Sequence, residues 1–112
     1  MQPFITEEEI DKALAYLRDS AELAAEARAN RQYVEEFRKT IKAQLMVKHA
    51  DAGVSIGAQE RDAYADQEYI IHLNAIREAV KIDEKYRFLR EAADAKIRAW
   101  QTMSATERAH RI

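Results

Sequence analysis

The sequence has no cysteine, one proline and two glycines among its 112 residues. Without cysteine it can form neither disulfides nor thiolate metal sites, which allows an intracellular location. No apolar stretch reaches the roughly 18 residues of a membrane span. The acidic start over residues 1–9 lacks the basic and apolar segments of a signal peptide. We therefore expect no membrane association.

What is present is typical of long helices. Hydrophobic residues make up 47% of the chain and charged residues 34%, which excludes a plainly disordered chain. Alanine, glutamate, arginine, lysine and leucine dominate, and no strand-like alternation appears. We predict an all-α protein that forms a single domain over residues 1–112.

The first helix is predicted over about residues 7–50. Thr6 is a suitable N-cap, Glu9 completes a capping box, and Ile5 and Ile10 are spaced to form a hydrophobic staple. Apolar residues then recur every three or four positions, as on one face of a helix: Ile10, Leu14, Leu17, Ala21, Ala24, Val34, Phe37, Ile41 and Leu45. The sequence does not decide whether this helix is continuous or broken near Ser20 and Asn30.

A loop is predicted over about residues 51–57, followed by a second long helix over about 58–103. Gly53 is suited to the left-handed conformation that ends many helices, and Ser55 is a candidate N-cap. The spacing from Ser104 to Glu107 matches a capping box, which favours a short turn or helix over 104–112. A continuous helix to the end of the chain is the alternative.

The charge pattern predicts that the two helices pair as an antiparallel, coiled-coil-like hairpin. Residues 1–26 carry seven acidic and two basic side chains, a net −5, while residues 27–50 carry two acidic and six basic, a net +4. Residues 57–83 carry six acidic and three basic, a net −3, and residues 84–112 carry four acidic and seven basic, a net +3. A reversal near Gly53 places opposite charges side by side, which selects the register more than it stabilises the fold.

Several large apolar residues fall outside the main stripes, which indicates a second contact surface. Either the helices break into a compact three- or four-helix bundle, or two hairpins dimerise. We expect the hairpin to assemble into a larger helical bundle as a homo-oligomer. The residues concerned are Tyr16, Leu23, Tyr33, Ile70, Ile71 and Phe88.

Enzymatic and metal chemistry have little support in the sequence. The serines lie in no nucleophile elbow, and the two glycines do not have phosphate-loop spacing. Only one Glu-x-x-His step, Glu107 to His110, is present, whereas di-metal bundles use two. We predict no catalytic residue, no cofactor and no metal site.

Two sets of residues are candidates for binding. Basic residues interleaved with aromatic rings are typical of single-strand binding surfaces, although acidic neighbours across the hairpin could neutralise this stretch. The candidate nucleic-acid contacts are Arg28, Arg31, Tyr33, Arg38, Lys39, Lys42 and Lys48. Aromatic residues on partly buried helix faces are common interface anchors, and the candidate interface residues are Tyr64, Tyr69, Tyr86 and Trp100.

Two stretches carry a family resemblance. One is SIGAQERDAYADQEY at residues 55–69, followed by Leu73 and the Ala79-Val80 pair. The other runs from Leu89-Arg90 through Ile97 and Trp100 to the segment 105–109. Together they resemble small helical proteins of unknown function encoded by phages and prophages, often near recombination genes. The likeness covers about residues 33–111 and departs at Gln101, where an arginine is expected. It assigns no catalytic or binding residue.

This resemblance implies a non-enzymatic phage-type accessory protein that acts in the cytoplasm of a bacterial host. It would contact a protein partner in DNA recombination or replication. Two other functions stay open. One is a single-stranded DNA binder or annealing helper that uses the basic residues of the first helix. The other is an inhibitor of a host defence or nuclease complex.

Overall fold

The computed structural model describes residues 5–110 and contains three α-helices within that range. They are α1 (Glu7–Asp51), α2 (Ile56–Ala65) and α3 (Gln67–His110), and no strand occurs among the described residues. The predicted all-α fold with two long antiparallel helices is confirmed. None of the three described helices holds a segment long and apolar enough to cross a membrane.

The first helix begins where its capping signal predicts. The Glu9 backbone N–H donates to Thr6 Oγ1 at 3.2 Å, and Ile5 and Ile10 are both buried. The three acids of the first turn complement the helix dipole. The helix then continues without a break past Ser20 and Asn30, since neither residue removes a backbone donor.

The loop after α1 is a Schellman motif, the helix ending in which a left-handed residue reverses the chain. Gly53 has φ +89°. Its N–H donates to the Ala50 carbonyl at 3.0 Å, and the Val54 N–H donates to the His49 carbonyl at 3.0 Å. The next helix, α2, starts directly after Ser55, two residues before the start predicted at about residue 58, and Gly57 lies in its first turn. Ser55 stands at the N-cap position, but its side chain makes no capping hydrogen bond with the described residues.

The two glycines are expected to respond in opposite ways to alanine substitution. Gly53→Ala should lower the free energy of unfolding by about 1 kcal/mol, because alanine is strained at positive φ. Gly57→Ala should raise it by about 0.5 kcal/mol, because Gly57 is helical and has open space around it. Urea denaturation of both variants tests this pair, and a loss of stability in Gly57→Ala would contradict it.

The predicted single helix over about 58–103 is wrong, because the chain breaks at Asp66. This residue is extended, with φ −68° and ψ 140°, and its Oδ1 accepts the Glu68 N–H at 2.9 Å as the N-cap of α3. The Tyr69 and Ile70 N–H groups donate to its carbonyl at 3.1 and 3.2 Å. The break creates the short helix α2, so the extra helix lies between the two long helices.

The predicted short C-terminal helix is also corrected. The third helix runs unbroken through 104–110; residues 111 and 112 lie outside the described residues. Thr102 Oγ1 donates to the Arg98 carbonyl at 3.1 Å and Thr106 Oγ1 to the Thr102 carbonyl at 3.0 Å. Such bonds to the residue four positions earlier belong to a helix interior, so the serine and threonines here do not start a new helix.

Contacts divide the chain into two compact units. The terminal unit pairs residues 5–25, which include the start of α1, with residues 84–110 of α3, and the central unit comprises residues 26–83. Both long helices run through both units. The single domain over 1–112 stays a prediction.

The terminal unit is built on small residues. Ala13 and Ala93 are buried, each less than a tenth exposed, and they allow close packing of the two helices. Arg90 Nη1 donates to the Leu17 carbonyl at 2.9 Å and to the buried Ser20 Oγ at 2.8 Å. Ser20 therefore takes part in the contact between the two long helices of this unit.

The core of the central unit lies where α1, α2 and α3 meet. Leu45 is 2% exposed and Ala63 is fully buried, and both pack with Tyr69. Ile41 and Met46 cover this cluster. The absence of a side chain beyond Cβ at Ala63 lets α2 lie close to the other helices.

The predicted juxtaposition of charges is confirmed in the central unit. Lys42 Nζ lies 2.7 Å from Glu60 Oε1, and Lys48 Nζ lies 3.1 Å from Asp66 Oδ2. Arg31 Nη1 lies 3.1 Å from Asp83 Oδ2. Basic residues of α1 thus face acidic residues of the returning chain, as an antiparallel pairing requires.

Candidate functional site: a basic and aromatic pocket

A pocket of about 450 Å³ lies in the central unit where its three helices meet. Three of its lining side chains are cations and two are tyrosines: Arg38, Lys39, Lys42, Tyr64 and Tyr69. The cations come from α1, where positions 38, 39 and 42 are neighbours on the helix surface. The tyrosines come from either side of the break at Asp66, so the pocket depends on that break.

Lys42 links the charged and aromatic sides of the pocket. Its ammonium donates to Glu60 Oε1 and lies 4.7 Å from the centre of the Tyr64 ring, within reach of a cation–π contact. The hydrogen bond to Glu60, followed by that to Tyr64, raises the pKa of Lys42 above its ordinary value. The same bond to Lys42 lowers the pKa of Glu60. Lys42 is therefore a fixed charge at neutral pH.

The two tyrosines form an edge-on pair. Their ring centres are 5.1 Å apart and the ring planes lie at 84°, a favourable aromatic arrangement. Tyr69 is buried and 7% exposed, whereas Tyr64 is 45% exposed. Tyr69 thus supports Tyr64, and Tyr64 presents much of its ring to solvent.

The other two cations are open to an incoming anion. Lys39 Nζ is 4.0 Å from Glu36 Oε2, and both side chains are 79% exposed. Arg38 is exposed and forms no ion pair with any other described residue. Exposed ion pairs stabilise proteins by about 0–1 kcal/mol, so an anion can replace Glu36 at little cost.

The remaining candidate nucleic-acid contacts do not line this pocket. Arg31 binds Glu35 at 2.9 Å as well as Asp83, and Lys48 binds Asp66. Tyr33 is 65% exposed and stacks on Phe37 with ring centres 5.7 Å apart. Acidic neighbours therefore neutralise Arg31 and Lys48, as the sequence allowed, whereas Arg38 has no such neighbour among the described residues. The role of the whole set in binding nucleic acid stays a prediction.

The candidate interface residues divide in the same way. Tyr64 and Tyr69 line the pocket, while Tyr86 and Trp100 are half-buried on α3. The sequence makes both pocket tyrosines interface candidates, because aromatic residues on partly buried helix faces are common interface anchors. It does not bring them together, because it predicts an unbroken helix across Asp66, where the chain in fact breaks.

A second concave surface lies in the terminal unit. This groove, of about 290 Å³, is mainly apolar with charged residues at its rim, and it is lined by Glu9, Lys12, Ala13, Tyr16, Leu89, Ala92, Ala93 and Lys96. The Tyr16 hydroxyl is buried and has no hydrogen-bond partner among the described residues. We call this surface the terminal groove.

Two of the three histidines, His49 and His72, have structural contacts. His49 Nε2 lies 3.0 Å from Asp66 Oδ2. His72 Nε2 lies 2.8 Å from the Val34 carbonyl oxygen; since a carbonyl can only accept, the ring donates there. Within residues 5–110 no group of three or more histidine and acidic side chains is arranged to hold a metal ion.

The pocket and the terminal groove are each formed by residues of one unit. Comparison of the chain with protein-family models, with curated proteins and with solved structures finds no match.

Proposed function

We propose that this chain is a non-enzymatic interaction protein that assembles through exposed apolar helix faces, with a second copy of the chain as the occupant. The observation that carries the proposal is the exposure of large apolar side chains in both units. Leu23 is 52% exposed and Leu89 is 45% exposed in the terminal unit, and Ile71 is 58% exposed in the central unit. A role beside DNA recombination or replication, through a further protein partner, rests on the resemblance described above.

The terminal groove supports a second copy of the chain as the occupant. A two-fold dimer places the same patch on both sides of the interface, so that patch must be self-complementary. The rim of the groove carries both charge signs, with Glu9 opposed by Lys12 and Lys96. A two-fold partner would set the acid of one copy against the lysines of the other, around an apolar floor.

Leu23 and Leu89 are the anchors that we expect at this interface. Leu89 lines the groove. Leu23 lies seven residues after Tyr16, another lining residue, and two helical turns bring it to the same face of α1. Charged substitutions at both positions would place a carboxylate in an apolar contact, which is strongly unfavourable without a partner.

Light scattering coupled to size-exclusion chromatography tests the proposal. The wild-type chain should elute at twice the 12.9 kDa of one copy or at a higher multiple. The L23E/L89E variant should elute as a monomer, because one carboxylate then lies in the apolar groove and the other lies on the same face of α1 as the groove residue Tyr16. A monomeric wild type across the micromolar range would overturn the proposal.

A matched control exists in the same unit. Leu14 and Phe88 are 51% and 58% exposed, but Leu14 is two residues from Tyr16 and so lies on another side of α1. Phe88 lies under the Arg87 guanidinium at 4.5 Å. The L14E/F88E variant should therefore keep the wild-type mass, and loss of assembly in both variants would contradict the assignment to this face.

A further inference from the structure

We infer that the basic and aromatic pocket of the central unit binds single-stranded nucleic acid, with phosphates on Arg38 and Lys39 and a base against the Tyr64 ring. This site shares no residue with the terminal groove. It is therefore a function in addition to assembly and does not depend on it.

The phosphate side of the site consists of the two cations with the weakest acidic neighbours. Arg38 presents five donors without an ion-pair partner among the described residues. Lys39 has only the exposed contact of 4.0 Å to Glu36. A phosphate that replaces this contact gains a charge-assisted hydrogen bond from a group that is already ionised.

The base side of the site is the Tyr64 ring. Buried Tyr69 contacts the Tyr64 ring edge-on and fixes its orientation. Glu60 holds the Lys42 ammonium beside the same ring. Stacking on an aromatic ring stabilises a bound base and tolerates any base, because every base has a π-face. It requires a base that is not paired in a duplex, which favours a single strand.

A path for the strand continues along α1. Arg28 and Lys39 are eleven residues apart, which is about three helical turns and roughly 16 Å on one face of the helix. Both are exposed and both belong to the central unit. A strand seated at the pocket can therefore meet a third cation at Arg28.

Fluorescence anisotropy with labelled oligothymidylate of about 15 nucleotides tests the phosphate contacts. Three contacts predict that log K falls with log salt with a slope of about −2. The R38E/K39E variant should bind about tenfold more weakly, since it loses two phosphate contacts. Absence of binding to the wild type at low salt would overturn the proposal.

The matched control for charge is R77E/K81E, which makes the same change on exposed residues of α3 in the same unit. It should alter the affinity less than about twofold, because these residues do not line the pocket. Equal losses in both variants would show a diffuse charge effect and overturn the site. Circular dichroism checks folding, and R38Q/K39Q repeats the test without charge reversal.

The base contact has its own test. The Y64L variant should bind several-fold more weakly, while Y64F keeps the ring and should retain the affinity. Thymidine monophosphate should compete only at far higher concentrations than the oligonucleotide, because it offers one phosphate. Competition by the monophosphate at equal concentrations would identify a mononucleotide site and overturn the assignment to a strand. Equal binding of a duplex would also overturn it, because the bases of a duplex are paired and cannot reach the Tyr64 ring.

Discussion

Leu45→Ala is expected to lower the free energy of unfolding by about 2–5 kcal/mol, the range for leucine truncation in a packed core. Leu45 is 2% exposed and contacts the cluster of Ala63 and Tyr69, where all three helices meet. Few other side chains of the described chain are as deeply buried. No neighbouring core side chain can therefore fill the cavity that the substitution leaves. Urea denaturation followed by circular dichroism measures the effect.

Leu73→Ala is the matched control for this prediction. It removes the same atoms from a residue of the same unit that is 41% exposed, so it should lower the free energy of unfolding by about 1 kcal/mol or less. The measurement is made at protein concentrations too low for assembly. Similar losses in the two variants would show that the cluster around Leu45 is not the main core of the central unit.

Asp66→Ala is expected to lower the melting temperature by on the order of 5 °C, because the N-cap of α3 is lost. Asp66 also accepts contacts from Lys48 at 3.1 Å and His49 at 3.0 Å. Its carboxylate therefore joins the end of α1 to the start of α3. Thermal unfolding of the variant measures the loss.

The same carboxylate should make stability depend on pH. The Glu68 backbone N–H first, and then the hydrogen bond from Lys48, lower the pKa of Asp66 below its ordinary value. A carboxyl with a lower pKa when folded stabilises the fold above its unfolded pKa of about 3.9. That stabilisation is lost as the pH falls through the folded pKa, so the wild type should lose stability below about pH 4.

Asp66→Asn should show a shallower loss of stability in that pH range, because asparagine can cap the helix but does not titrate. Asp62→Asn is the control. Asp62 lies on the neighbouring α2 and pairs with Arg61 at 3.1 Å. Its substitution should leave the loss of stability below about pH 4 close to that of the wild type. If Asp66→Asn lost stability below pH 4 as steeply as the wild type, the proposed role of this carboxylate would be wrong.

The sequence predicts those features whose cause is local. Thr6 begins α1 because its hydroxyl can accept the Glu9 N–H, and Gly53 ends the first segment because it adopts positive φ. Both depend on residues within four positions. The antiparallel pairing is also predicted, because the alternating charge blocks are large enough to be read without knowing any contact.

The break at Asp66 could not be predicted in the same way. Aspartate is a common N-cap, but the segment from Ala58 to Leu73 contains no glycine or proline and its apolar spacing allows one helix. The break follows from tertiary packing, since a fully buried Ala63 against Leu45 requires α2 to lie close to α1. The pocket could not be predicted for the same reason, because Tyr64 and Tyr69 meet only when the chain bends between them.

The cap at Asp66 has a consequence for binding as well as for folding. Because Tyr64 and Tyr69 flank it, the pocket exists only while α2 is docked, so occupancy of the pocket and docking of α2 form one coupled equilibrium. A strand bound there stabilises the docked state by RT ln(1 + c/Kd), where c is the free strand concentration and Kd is its dissociation constant. By reciprocity, if protonation of Asp66 lowers the affinity for the strand by some factor, the bound strand lowers the affinity of Asp66 for the proton by the same factor.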